Sequence, residues 1–232
     1  NAYLSQVTFS YANVDKFVDG TISVKRVTDK IQEIADEPFY RIATTFAYSR
    51  TTPSLIGYPG LSTFSSSLER STMNHFAYMG DQGVNAATEY ENGTPLMDAL
   101  YGIRYYMDIK NINQEEKENH PERMYFYRFA SRFDMNRYFT EKVYEDDRYL
   151  VYKNPNSFPI AFGVNKLVTN LQLDFNHAVK NQNNILNSME GIQKDQENYV
   201  DYFKPLAFSA IETENLVAED VNKEKGTAVY KR

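Results

Sequence analysis

Cysteine is absent from all 232 residues, and so is tryptophan. The first absence excludes disulfides and every thiolate metal site. It suits the cytosol or the outer face of a bacterial envelope, and argues against a small disulfide-stapled secreted domain. The second removes the commonest sugar-stacking side chain, although tyrosine can serve instead. Histidine is scarce: His75, His120 and His177 lie far apart, and no pair has the spacing of metal ligands. No metal site and no cofactor is therefore expected. Basic residues are outnumbered, with 25 Lys and Arg against 31 Asp and Glu, a net charge of −6. Binding to a phosphate backbone requires clustered cations, so no nucleic-acid partner is expected. Long apolar runs are missing too. The longest low-charge stretch, residues 51–68, holds two prolines, two glycines and many hydroxyls, not the roughly 20 apolar residues of a membrane span. The chain shows no secretory leader, P-loop, G-x-G-x-x-G, H-E-x-x-H or G-x-S-x-G. No catalytic residue can be named.

Aromatics are plentiful, 19 tyrosines and 15 phenylalanines. Such chains set flat side chains half into the core with the hydroxyl towards water. With 42% hydrophobic and 24% charged residues the chain is of ordinary globular composition, long enough for a substantial core. The Asn1-Ala2 start reads as the remnant of an expression tag, so the sequence is expected to be a piece of a longer protein.

Periodicity predicts a helix over residues 14–35, with Asn13 as cap and a weak point at Gly20-Thr21. Its apolar positions are Val14, Phe17, Val18, Val24, Val27, Ile31 and Ile34. A core-facing helix is the plain reading, and continuation towards an upstream membrane span is the sharper one. Residues 39–46 read as a strand and 47–60 as a loop. The hydroxyls of residues 62–67 are expected either to cap a helix over 68–79 or to line a polar cleft. Residues 80–93 read as a loop. Thr94-Pro95 opens a short helix that Gly102 closes before a strand over 103–109. A charged insert at 110–122 is expected to be solvated. Residues 124–133 suit a strand, with helix as the alternative. A hairpin follows around Asp146-Asp147, then a short strand at 158–164. Asp174 is expected to cap a helix to Glu190 whose buried side is Phe175, Ala178, Val179, Ile185, Leu186 and Met189, stopped by Gly191. LAFSAIE reads as a strand, and residues 214–232 as a charged tail without a core pattern. This succession predicts an α/β (mixed α+β) fold, a mixed sheet flanked by helices, in a single compact domain with a charged insert. The expected division is a helical segment at 1–38, the mixed domain at 39–211 and the tail at 212–232.

Carboxylates recur in pairs, Glu89 with Glu91, Glu115 with Glu116 and Asp146 with Asp147. Glycoside hydrolysis needs two carboxyl groups flanking one bond, which spacing along a chain does not establish, so all three read as solvated surface. Asp81 and Asp98 flank the central loop and are better binding candidates. Tyr58 and Phe64 are candidates to stack on a sugar face, and Ser62, Ser65 and Ser66 to bind hydroxyls, because binding residues gather on loops held by a rigid scaffold. For each of these residues a core or turn role is the plain alternative.

Three blocks carry a resemblance. Residues 58–66, Tyr-Pro-Gly-Leu-Ser-Thr-Phe-Ser-Ser, come first. Thr94-Pro95-Leu96, continuing through Asp98-Ala99-Leu100-Tyr101-Gly102-Ile103-Arg104-Tyr105-Tyr106, is the second. Val151-Tyr152-Lys153-Asn154-Pro155 with Phe158-Pro159-Ile160-Ala161-Phe162-Gly163 is the third, echoed by Asn181-Gln182-Asn183 and Tyr202-Phe203. In order and spacing, over residues 39–205, they resemble the bacterial YfhO family of polytopic membrane proteins. The resemblance implies a C-superfamily glycosyltransferase. Such an enzyme moves a sugar from a polyprenyl-phosphate donor to an envelope polymer acceptor such as lipoteichoic acid in a Gram-positive bacterium. Its catalytic carboxylate sits in an early outer loop outside this chain. The residues here would then be a soluble extracellular piece at the cell membrane, partnered by the membrane portion of the same polypeptide. The piece would stop short of further β structure in the family. Arg104 stands where the family often has lysine, and is a candidate phosphate contact. The insert at 110–122 has no family counterpart. A structural or protein-interaction surface module without a ligand is the alternative, and a free-standing hydrolase a third.

Overall fold

The computed structural model describes residues 14–47, 50–84, 86–110, 127–128, 138–139, 141–175, 177–204, 217–222 and 227–231. Its centre is a four-stranded sheet of β1 (Arg41–Thr44), β6 (Ile103–Ile109), β9 (Tyr149–Lys153) and β8 (Glu141–Glu145), in the order β1-β6-β9-β8. β1 runs parallel to β6, whereas β6–β9 and β9–β8 are antiparallel, so the sheet is mixed as expected. The β8–β9 turn forms because Asp146 Oδ1 accepts from the amides of Arg148 and Tyr149, at 2.8 and 2.7 Å. Asp146 is thus held within the turn, and the solvated reading of that pair does not hold for it.

Side chains alternate across the sheet and build two cores. On one face lies α1 (Val14–Ile34), whose Val24, Val27 and Ile31 are fully buried against Ile42, Tyr105 and Val151. Burying each of these α1 side chains contributes about 1.5–3 kcal/mol. The helix runs unbroken through Gly20. Only its second half is covered: Val14, Phe17, Val18 and Ile22 are exposed. The predicted Asn13 cap lies outside the described residues.

The other face is covered by α3 (Arg70–Met79), α4 (Pro95–Leu100) and α5 (Ala178–Glu190), which meet the sheet through Ala43, Ile103 and Tyr106. Thr94 caps α4, its hydroxyl accepting from Met97 N at 3.3 Å, with proline in the first turn. No serine caps α3; Glu69 occupies that position without a side-chain bond. Thr52–Ile56 forms a short helix, α2, inside the expected loop and ends on Gly57 in the left-handed region. β2 (Phe46–Ala47) pairs with β7 (Tyr127–Arg128), and β10 (Val217–Asn222) with β11 (Thr227–Lys231) where the sequence reads as a patternless tail. Residues 111–126, which hold most of the charged insert with Glu115, Glu116 and His120, lie outside the described residues, as does LAFSAIE.

Three further expectations are corrected. Residues 80–93 are not all loop, because β4 (Gln82–Val84) and β5 (Ala87–Glu89) join β3 (Thr63–Phe64) in a second sheet, ordered β3-β5-β4. Residues 158–164 form no strand; Phe158 N bonds to Ala99 O at 2.9 Å and the segment runs irregularly over the surface. The helix predicted from Asp174 begins at Ala178 with His177 in the cap position.

The buried side of α5 is mixed: Ile185 is buried as expected, with Leu186 and Met189 packed against the same core, but most of its buried residues are polar. Phe175 and Val179 are exposed, while Asn181, Gln182, Asn183 and Asn187 are buried. Each amide bonds a main chain that would otherwise be unpaired. Asn181 Nδ2 donates to Tyr78 O and Asp174 O, and Gln182 Nε2 to Met79 O. Asn183 exchanges bonds with both main-chain groups of Phe203, and Asn187 with both of Val200. Asparagines in this helix replace the β-ladder that the irregular segments beside it lack.

Candidate functional site

The small sheet positions the central sequence stretch. Phe64 faces Ala87 and Thr63 faces Thr88 across β3 and β5. Thr88 Oγ1 donates to Leu61 O at 3.0 Å, and Ser62 Oγ accepts from Tyr90 N at 3.3 Å, which fastens residues 61–62 to the edge of the hairpin. Ser65 Oγ lies 2.9 Å from Ser67 Oγ and accepts from Ser67 N, a local turn. Beyond these, Phe64 stands 51% exposed and Ser66 is exposed. Together with the outer side of Ser65 they form an aromatic and hydroxyl edge, the composition of a carbohydrate contact.

A cluster of charge closes the other end of the sheet. Glu89, 4% exposed, is ion-paired with Arg50 Nε. Asp81 is buried and its Oδ1 accepts from the amides of Glu91 and Asn92 at 2.8 and 2.7 Å. Glu91 is half-buried, and its carboxyl is pushed up to about 7, first by desolvation, then by a hydrogen bond to Glu89 and the charges of Glu89 and Asp81. Glu91 therefore keeps its proton up to near neutral pH. Direct contact leaves no room for a glycosidic oxygen, which needs carboxyls roughly 5 Å or more apart. The hydrogen-bonded pair does not have the spacing of a hydrolase dyad. Its solvated reading in the sequence is corrected: Glu89 is buried at the end of β5 and ion-paired with Arg50, and Glu91 is half-buried beside it.

Several sequence candidates are committed elsewhere. Tyr58 is 7% exposed within the α1-side core, and burial raises its phenol above the usual range despite a bond to Thr44. A ring so enclosed cannot stack on a sugar. Asp98 is fully buried, with Tyr90 donating its hydroxyl to Asp98 Oδ1 at 2.7 Å. Arg104 reaches Asp36 at 3.1 Å and Glu37 at 3.2 Å, and donates to Asn154 O and Ser157 Oγ. Two carboxylates already pair with this guanidinium through Nη2, although its buried Nε has no partner, and they would repel a phosphate. On the other side of the pair, Lys153 and then Arg104 hold the Asp36 carboxyl down at about 2. Of the eight candidates, then, Phe64, Ser65 and Ser66 face outward, Ser62 fastens the sheet, and Tyr58, Asp81, Asp98 and Arg104 serve the framework. His75 lies among the rings of Phe76 and Tyr101, and its imidazole is shifted down by burial. Among the described residues no three His, Asp or Glu group as metal ligands, and no helix is long and apolar enough to cross a membrane.

A family model described as Bacterial membrane protein YfhO matches residues 1–231, a wider span than the three sequence blocks cover. No curated protein and no solved structure matches the chain.

Proposed function

From the premise that the chain belongs to the bacterial membrane protein YfhO family, we propose that it is an extracellular domain of a many-pass glycosyltransferase. That enzyme would move a sugar from a polyprenyl-phosphate carrier to a cell-envelope polymer such as lipoteichoic acid. The domain would sit over the catalytic cavity of the membrane portion and hold the acceptor, with the reactive carboxylate supplied by that portion. The observation that carries the reading is the family match along nearly the whole chain, combined with a described region in which no helix can span a bilayer. The edge of Phe64, Ser65 and Ser66 is the surface for the acceptor, because it is outward-facing and joined to a rigid sheet.

A second reading, a structural or protein-interaction module, is favoured by the framework roles of Tyr58, Asp98 and Arg104. Sugar transfer by the full-length protein separates the two. Under the acceptor reading Phe64→Ala with Ser66→Ala lowers transfer about tenfold through a raised KM for the acceptor, with kcat little changed. Transfer at the wild-type rate and KM assigns the domain to the second reading. No transfer by the intact wild-type protein, across polyprenyl-linked sugars, refutes the enzyme class.

A further inference from the structure

A cavity of about 410 Å³ opens between α5, α4 and residues 162–173. Leu100, Val168, Leu171, Ile185 and Met189 line it, His75 of α3 and Tyr101 are its polar members, and no carboxylate lines it. Such a volume equals about a dozen water molecules and falls in the range of small-molecule pockets. A lining this apolar offers water few partners and suits a saturated or isoprenoid chain.

The surface around the mouth continues the same chemistry. Phe162 and Val164 line the cavity and are also 42% and 43% exposed, and Ile160 beside them is 70% exposed. Apolar surface thus runs without a break from interior to solvent, which is uncommon on a protein that meets only water. The segment is held in place. Phe158 N bonds to Ala99 O, Asn165 N bonds to Met189 O at 3.0 Å, and the rings of Phe158 and Phe162 meet edge to face at 4.7 Å. Charge agrees as well. In a chain with 31 acidic residues, none lies between Asp147 and Asp174. Lys166, exposed at the start of the 3-10 turn Lys166–Asn170, makes no ion pair among the described residues. A segment, 158–173, that is largely apolar and carries one cation and no carboxylate is matched to an anionic bilayer surface. Membership of a membrane-protein family places a bilayer on the same polypeptide.

We propose that residues 158–173 dock on the lipid bilayer, with Ile160 and Phe162 entering the headgroup layer and one aliphatic chain of a membrane lipid occupying the cavity behind them. The inference is independent of sugar transfer. It needs only a lipid surface, and the isolated 232-residue chain can be tested against one.

The chain is sedimented with vesicles of phosphatidylcholine, with and without phosphatidylglycerol, and titrated with dansyl-undecanoic acid as the cavity probe. The wild type sediments with the vesicles, more strongly with phosphatidylglycerol, and shifts the dansyl emission to the blue. Ile160→Ser with Phe162→Ser weakens vesicle binding at least tenfold, since each side chain otherwise leaves water. Val168→Trp fills the cavity and removes the dansyl shift. If that variant loses its far-UV circular dichroism, competition by phosphatidylglycerol for the dansyl probe on the wild type reads the same site. Ile160→Ser alone, at a position 70% exposed, tests the rim without touching the core. Phe17→Ser on α1 leaves both signals unchanged. Four results overturn the proposal: no sedimentation of the wild type, dansyl binding without vesicle binding (a site for free fatty acid), wild-type behaviour of the rim variants, or loss of binding on Phe17→Ser alone.

Discussion

Replacing Gly83 by alanine probes a very close approach of strand and helix backbone. Gly83 lies in β4 directly under α3, and a Cβ built on it would stand 1.8 Å from Met73 O and 2.7 Å from Met73 C. Both are backbone atoms of a helix and cannot swing aside. To reach even a compressed 3.0 Å, β4 and α3 must separate by about 1.2 Å. That lifts Phe76 and Met79 from their buried positions and stretches the pairing of Gly83 with Thr88. Overpacking ordinarily costs about 1–3 kcal/mol, and weakened ladder bonds add about 0.5–1.5 kcal/mol each. The expected loss is about 3–5 kcal/mol, a large part of a typical total of 5–15 kcal/mol. In urea, with a slope of about 2–3 kcal/mol per molar, the midpoint falls by roughly 1–2 M. Gly57→Ala is the matched control. Gly57 has φ +89° with no atom within 4 Å of the new Cβ, so only backbone strain of about 1–2 kcal/mol applies. A Gly83→Ala protein that unfolds at the same urea concentration as Gly57→Ala, or higher, would refute the close packing of β4 on α3.

Two further outcomes follow from the polar interior. Glu91 has its folded value pushed up to about 7 from 4.5, so between those pH values the folded state keeps a proton that the unfolded chain has released. Stability contributed by that proton is present below pH 4.5 and falls as pH rises through 7. Chemical denaturation from pH 4.5 to 7.5 should show this slope, and Glu91→Gln should flatten it. Asp36 and Glu145, both held down at about 2, act in the opposite direction, and their contribution disappears as pH falls from about 4 to 2. Asn187→Ala removes the partner of both main-chain groups of Val200. It should cost about 2–4 kcal/mol and open residues 196–203 to proteolysis at low protease concentration, whereas uniform protection of that segment would show that water replaces the amide.

Legibility in the sequence followed the kind of force involved. Val24, Val27 and Ile31 recur at helical spacing, and α1 forms with those residues buried. Thr94-Pro95 and Gly191 mark helix ends through backbone chemistry that needs no tertiary partner, and both do so here. The inner face of α5 was illegible for the converse reason. Asn181, Asn183 and Asn187 are polar, and their burial depends on main-chain groups of Tyr78, Phe203 and Val200, of which Tyr78 lies 103 residues away. Apolar periodicity therefore found Ile185, Leu186 and Met189 but missed these amides, and it also pointed to Phe175 and Val179, which are exposed. Residues 158–164 misled in the same way: an apolar run with aromatics has strand composition, yet Ile160 and Phe162 face outward. Gly83 carried a readable signal, since glycine within a strand marks a close backbone approach, but the surrounding GDQGVNAATEYENG is so rich in turn residues that the strand itself was hidden.

The central stretch at residues 58–66 shows how far a motif can serve as a guide to a site. Its residues divide by geometry into those that hold the sheet and those that it presents. Tyr58 fills the core and touches Thr44; Gly60 is required because a Cβ there would lie 2.6 Å from Pro53 Cγ; Ser62 bonds the hairpin amide of Tyr90. Each of these roles is sufficient to fix its residue without any ligand. Phe64 is different. Half of its ring meets water in a position where a smaller or polar side chain would satisfy the same β3–β5 pairing. Leaving that much aromatic surface wet offers the fold no stabilisation from burial. An exposed ring is open to a partner in a way that an enclosed one is not, which is why the proposed acceptor contact is placed on Phe64 and not on the buried Tyr58.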